Sequence, residues 1–198
     1  MPPELPILIV ATRNAHKTQE IREIIGDRYK VLDVNDFPNL PTVDETGTTF
    51  LENATLKAVA ISREVTGLVL SDDSGLEVDA LGGAPGVWSS SYGGEEGNHP
   101  KNNARLMAVM AGKTNRSARF RCTMVLAEGG EVLADFSGSV EGKILEEPFG
   151  AGGFGYDPLF APEGQERSFA ELGSEAKNAL SHRGRALAKV AAWLESRG

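Results

Sequence analysis

The chain holds one cysteine, Cys122, so no intrachain disulfide can form. Its setting in RFRCTMVLA reads as a small buried side chain, in keeping with a reducing compartment. Long apolar runs are also missing. The opening MPPELPILIVATRN has one short run, broken by proline and followed by polar residues, so neither a cleaved secretion signal nor a spanning helix is expected. The expected location is cytoplasmic, with no membrane partner. Cations are in deficit: 20 Lys and Arg stand against 28 Asp and Glu, for a net charge of -8. Such a balance gives no general attraction to a nucleic-acid backbone, so no nucleic acid polymer is expected as partner. Repeats and low-complexity segments are absent, as is the GxxxxGK[ST] phosphate loop of kinases and GTPases. What is present suffices for a core: 198 residues, 40% hydrophobic and 24% charged, a size that suits one compact domain or two tightly joined lobes.

Periodicity supplies the elements. PILIVAT reads as a first strand, and Asn14 to Gly26 switches to helical spacing, with Ile21, Ile24 and Ile25 on one face and Gly26 as the stop. Asn35 to Phe50 is turn-rich. Asn53 to Val65 repeats Ala54, Ala58, Ile61 and Val65 as a second helix, and Leu68 to Ser71 is a short strand that ends at two adjacent carboxylates. Pro100 to Met110 is helical, whereas Arg119 to Ala127 and Glu131 to Ser139 form a hairpin around Gly129-Gly130. A last helix starts near His182 with Ser181 as its cap and Leu187, Val190, Ala191 and Leu194 on its apolar side. The order is α/β with an antiparallel ribbon.

Four stretches could carry chemistry. Thr12-Arg13-Asn14-Ala15-His16-Lys17 joins a strand to a helix start, where exposed amides and two cations suit phosphate oxygens; ordinary capping by Asn14 explains the same residues. Ser71-Asp72-Asp73-Ser74-Gly75 pairs carboxylates that can hold Mg²⁺ and activate water, or form a solvated acidic turn. Asp44, Glu45 and Glu52 are further carboxylates, and Glu52 alone reads as compensation of a helix dipole. Gly152 to Pro158 places Phe154 and Tyr156 beside Gly155 and Asp157, as a stacking site for a flat base or as a glycine-rich hairpin packed by its rings. Lys177, His182 and Arg183 read either as a fourth recognition set or as surface charges and a structural histidine.

Taken together, TRNAHK, ENATLKA, SDDSGLEVDALGGAPGV, GGFGYDPLF and SHRGRALAKV resemble the inosine triphosphate pyrophosphatase, or Ham1-like, family over almost the whole chain and in the same order. The resemblance implies one ITPase-like α/β domain spanning residues 1–198, its long mixed central sheet and flanking helices forming two lobes around a nucleotide cleft, and a homodimer. It implies hydrolysis of ITP, dITP and XTP to nucleoside monophosphate and pyrophosphate, which would clear mispairing bases from the nucleotide pool. In that scheme Thr12 to Lys17 hold phosphates, Asp73 accepts the proton from water, Asp44 and Asp73 bind Mg²⁺, and Asp72, Glu45 and Glu52 support the cation. Ser74 touches substrate, Phe154, Gly155, Tyr156 and Asp157 form the base and sugar site, and Lys177, His182 and Arg183 complete recognition. A 6-oxopurine accepts at C6 and donates at the adjoining ring nitrogen, whereas adenine reverses both, so fixed polar groups can reject ATP.

Two positions depart from the family pattern. Arg13 replaces a small or amide residue in the phosphate loop, and Ser91 stands where PGxxSARY has arginine, so that guanidinium contact is missing. Two other functions compete: a Maf-like pyrophosphatase acting on modified pyrimidine nucleotides, and a nucleotide-binding regulator without turnover.

Overall fold

The computed structural model describes residues 5–197. Its elements are β1 (Ile7–Val10), α1 (Ala15–Ile25), β2 (Lys30–Asp33), α2 (Phe50–Glu64), β3 (Leu68–Val78), α3 (His99–Met110), β4 (Ser117–Glu128), β5 (Glu131–Ile144), β6 (Phe160–Pro162), α4 (Ser174–Leu180) and α5 (His182–Glu195). The six strands form one sheet in the order β2-β1-β3-β4-β5-β6. It is mixed: β1 runs parallel to both β2 and β3, and β5 runs antiparallel to β6. This is the expected α/β architecture. Parallel pairing of β1 with β3 requires a crossover, which α1, β2 and α2 supply.

The chain divides into two compact units. Among the described residues the first comprises 5–73, 123–137 and 186–197. Its core joins Ile9 and Ala11 to Val34, Ile61 and Val69, and a second cluster sets Ala54 and Ala58 of α2 with Val125 and Ala127 of β4. Alanines on both elements allow close helix-to-strand approach. Gly129 and Gly130, at φ of 58° and 89°, make the tight turn between β4 and β5; left-handed geometry at both central residues matches the twist of the strands it joins.

The second unit comprises residues 74–122 and 138–185. Its core is aromatic: Phe120, Phe160 and Phe169 are packed with ring centroids 4.7 to 6.1 Å apart. Tyr156 belongs to this core, and its hydroxyl donates to the Ser89 carbonyl at 2.7 Å. Burial pushes that hydroxyl's pKa upward.

One boundary needs correction. The strand expected to end at Ser71 continues through Asp72, Asp73, Ser74 and Gly75 to Val78. Two buried carboxylates inside a strand would be prohibitively costly if unpaired, and cations on neighbouring elements compensate them. The Gly152 to Pro158 stretch is likewise not a hairpin but a loop leading into a short helical turn at Asp157–Leu159.

Candidate active site

In the first unit the loop after β1 caps α1. Asn14 Oδ1 accepts from the amides of His16 and Lys17 at 3.0 and 3.4 Å, and Thr12 Oγ1 accepts from the Asn14 amide at 3.2 Å. Two of the amides proposed for phosphate are therefore held by Asn14, while Ala15 and His16 have exposed side chains. Arg13 donates to the Leu40 carbonyl at 3.3 Å, and Asn35 Nδ2 donates to the Arg13 carbonyl at 3.3 Å, tying the loop to the turn-rich segment.

Lys17 reaches from α1 to β3. Its Nζ lies 2.6 Å from Asp72 Oδ1, and Asp72 is fully buried. Lys57, on α2, approaches from a second direction: its Nζ is 3.0 Å from the Asp72 carbonyl oxygen, 3.1 Å from Glu45 Oε2 and 3.8 Å from Asp73 Oδ1. Lys57 lies within ENATLKA, a stretch whose pattern assigns it no role. A signal was present, since Ala54, Lys57, Ala58 and Ile61 share one helix face, and a lysine within an apolar stripe needs a buried partner.

Asp73 differs from its neighbour. Among the described residues its buried Oδ2 has no hydrogen-bond partner, and its pKa is raised from 3.8 to about 6. Burial is the main cause, opposed by the charges of Lys57 and Lys17 and reinforced by Glu45 and Asp72. The carboxyl thus titrates within reach of neutral pH.

The other acids fall differently. Asp44 is exposed, and no hydrogen bond or ion pair of its side chain occurs among the described residues, whereas the adjoining Glu45 pairs with Lys57. Glu52 accepts from the Thr48 and Thr49 amides while Thr49 Oγ1 accepts from the Glu52 amide, closing a capping box on α2. Those bonds, the Thr48 amide foremost, hold its pKa below the ordinary value. Among the described residues no group of three or more His, Cys, Asp or Glu side chains is arranged to hold a metal ion. Asp73 with Glu45 remains a pair of hard oxygen donors, enough for a cation that also takes phosphate oxygens and water. The unpartnered Oδ2 is the observation that fits Mg²⁺ there. A separate cavity of about 510 Å³, lined by Ile7, Arg22, Tyr29 and Lys30 among others, contains none of these residues.

The second unit gathers Phe154, Asp157, Lys177, His182, Arg183 and Ser74. Asp157 Oδ2 accepts from the Phe154 amide at 2.9 Å and from Lys177 Nζ at 2.7 Å. Both members of the Asp157–Lys177 pair are buried, so Lys177 is no surface charge. Its Nζ also stands 4.8 Å from the centre of the Phe154 ring, and the Arg183 guanidinium stands 5.7 Å from it. Arg183, buried to 2% exposure, donates to Ser74 Oγ at 3.3 Å. His182 lies stacked on Phe120 at 4.9 Å, and its place at the start of α5 is fixed by Ser181, whose Oγ accepts from the Gly184 amide. Gly153, at φ 68°, has no room for a side chain, since a Cβ there would strike Asp157 Oδ2. Gly155, at φ 64°, faces open space.

The loop therefore presents a half-buried ring, Phe154, with two cations against it. Tyr156, expected beside it, is turned into the core instead.

Comparison with known proteins identifies the family. A protein from Bacillus licheniformis named dITP/XTP pyrophosphatase is 46% identical over 191 residues, covering 95% of this chain and 97% of the relative. A Streptococcus thermophilus protein of the same name is 48% identical over 93% of this chain, which spans 58% of that longer relative. The structure of a HAM1 protein from Coxiella burnetii matches with a TM-score of 0.87 at 36% identity, covering 97% of this chain and 100% of the other. The family model described as the Ham1 family matches residues 8–193, and the chain belongs to that family.

Proposed function

We propose that this chain hydrolyses the non-canonical purine triphosphates ITP, dITP and XTP to the nucleoside monophosphate and pyrophosphate, acting as a homodimer in the cytoplasm. The observation that carries the reading is Asp73: a buried carboxylate with an unpartnered oxygen, a pKa of about 6, and two lysines beside it. The substrate class is supported by the relatives' names and by the family match.

The residues divide the work. Asp73 takes the proton from the water that attacks the α-phosphorus, and a base titrating near 6 is ionised at neutral pH while still able to hold a proton in the transition state. Lys17, held in place by buried Asp72, offsets charge on the phosphates, as does Lys57 from the other side. Glu45 and Asp73 would hold Mg²⁺, which when bound supplies charge neutralisation on the phosphate oxygens. Phe154 stacks the base. Lys177 and Arg183 carry only donors, so they favour a purine edge rich in acceptors, such as that of a 6-oxopurine. Adenine would set its amino group against such donors, and each unpaired buried group costs about 1–3 kcal/mol.

A substrate panel tests the proposal. ITP, dITP, XTP, the normal triphosphates and modified pyrimidine triphosphates are incubated with and without Mg²⁺ while pyrophosphate and phosphate are both measured. The expected result is metal-dependent pyrophosphate release, fastest with the deaminated purines. No release from any purine triphosphate contradicts it, and faster pyrimidine turnover reverses the substrate assignment. Light scattering checks the dimer, which a concentration-independent monomer mass excludes.

A further inference from the structure

His99 lies against the same ring as Lys177 and Arg183. Its imidazole centroid is 6.2 Å from that of Phe154, with the planes tilted by 49°, inside the range where aromatic pairs attract. The backbone fixes where that imidazole starts. His99 is the first residue of α3, behind the cap in which Asn98 Oδ1 accepts from the Lys101 amide at 3.1 Å, and Pro100 follows it. One turn along the same helix, Asn103 donates to the Gly155 carbonyl at 3.0 Å. Residues four apart share a helix face, so α3 grips the loop twice, by the Phe154 ring and by the Gly155 backbone.

The loop needs such a grip. Gly153 and Gly155 give the backbone on either side of Phe154 left-handed freedom, and the Phe154 ring is only half-buried. Lys177 and Arg183 attract the ring through its charge distribution, and the His99 ring adds a contact from α3. Holding the ring before substrate arrives removes an ordering cost from binding.

We infer that His99 is a positioning residue for the base: with Asn103 behind it, its ring sets the angle at which Phe154 receives a purine. The inference rests on the proposed function and deepens it at the base end. The contact is ring on ring, so an aromatic replacement retains it and a small one does not.

Steady-state kinetics on ITP decide the matter, comparing the wild-type protein with His99→Ala, His99→Phe, Asn103→Ala and the His99→Ala/Asn103→Ala pair. His99→Ala should raise KM roughly three- to tenfold, the scale of one aromatic pair, with kcat unchanged within about twofold. His99→Phe should restore KM, and the double variant should depart from the product of the two single effects, because both residues hold one loop. Thermal melts of each variant accompany the kinetics. An unchanged KM in His99→Ala overturns the inference, as does an unrescued KM in a His99→Phe protein that melts normally. If wild-type protein turns over ITP and these variants behave like it, only this inference falls. If the wild-type protein turns over no purine triphosphate, both readings fall.

Discussion

Asp73→Asn should make the protein more stable while it stops turnover. The wild-type carboxyl is raised from 3.8 to about 6, chiefly by burial. A carboxyl with a raised folded-state pKa is favourable to folding while protonated, and that contribution is lost as pH climbs from about 4 to about 6. Above both values the charged group costs about 3 kcal/mol of stability. For a chain of this length that corresponds to a melting shift of roughly 6–12 °C. Asparagine keeps the shape and carries no charge to desolvate. Melts in chelator across pH 4 to 8 should therefore give coincident midpoints for the two proteins near pH 4, and a widening gap in favour of Asp73→Asn up to pH 6 that stays level beyond. Added Mg²⁺ should narrow the gap by stabilising the wild type alone. Parallel curves across the whole range, or a variant less stable than wild type at pH 8, would refute the reasoning.

Removing the Lys57 charge should move the acid limb of the kcat/KM profile upward from near pH 6, because Lys57 opposes the rise in the Asp73 pKa; a limb that stays in place in Lys57→Met argues against their coupling. Lys177→Met strands the buried Asp157 carboxylate and should cost about 3–5 kcal/mol in urea unfolding, far above the 0–1 kcal/mol of an exposed pair. Gly153→Ala should lose both stability and ITP turnover, since its Cβ meets Asp157, whereas Gly155→Ala, facing open space, should cost only the 1–2 kcal/mol or so of a left-handed residue. Equal effects at the two glycines would show that the Asp157 contact does not matter.

Sequence patterns located the elements that carry their own signals. The first strand and helix stand out through three isoleucines and a terminal glycine, and the hairpin through its paired glycines. Elements too short for a period carry no such signal: β2 has four residues, β6 has three, and α4 has seven with no side-chain cap. The length of β3 was hidden by Asp72 and Asp73, because the cations that make their burial tolerable lie 55 and 15 residues away in Lys17 and Lys57. The same blindness to distant partners explains Lys177, whose burial depends on an aspartate 20 residues earlier, and Tyr156, whose hydroxyl is met by a carbonyl 67 residues before it. Arg13 sits in a loop whose charge suits phosphate, but it donates to the Leu40 carbonyl, which belongs to a segment with no regular pattern to predict its path.

Turnover of ITP in water enriched in ¹⁸O, with Mg²⁺ present and mass analysis of both products, tests directly whether Asp73 activates water against the α-phosphorus. The heavy oxygen should appear in the nucleoside monophosphate, with unlabelled pyrophosphate, and the reaction should fail in Asp73→Asn. Label in pyrophosphate or inorganic phosphate, or undiminished turnover by the variant, would contradict the mechanism.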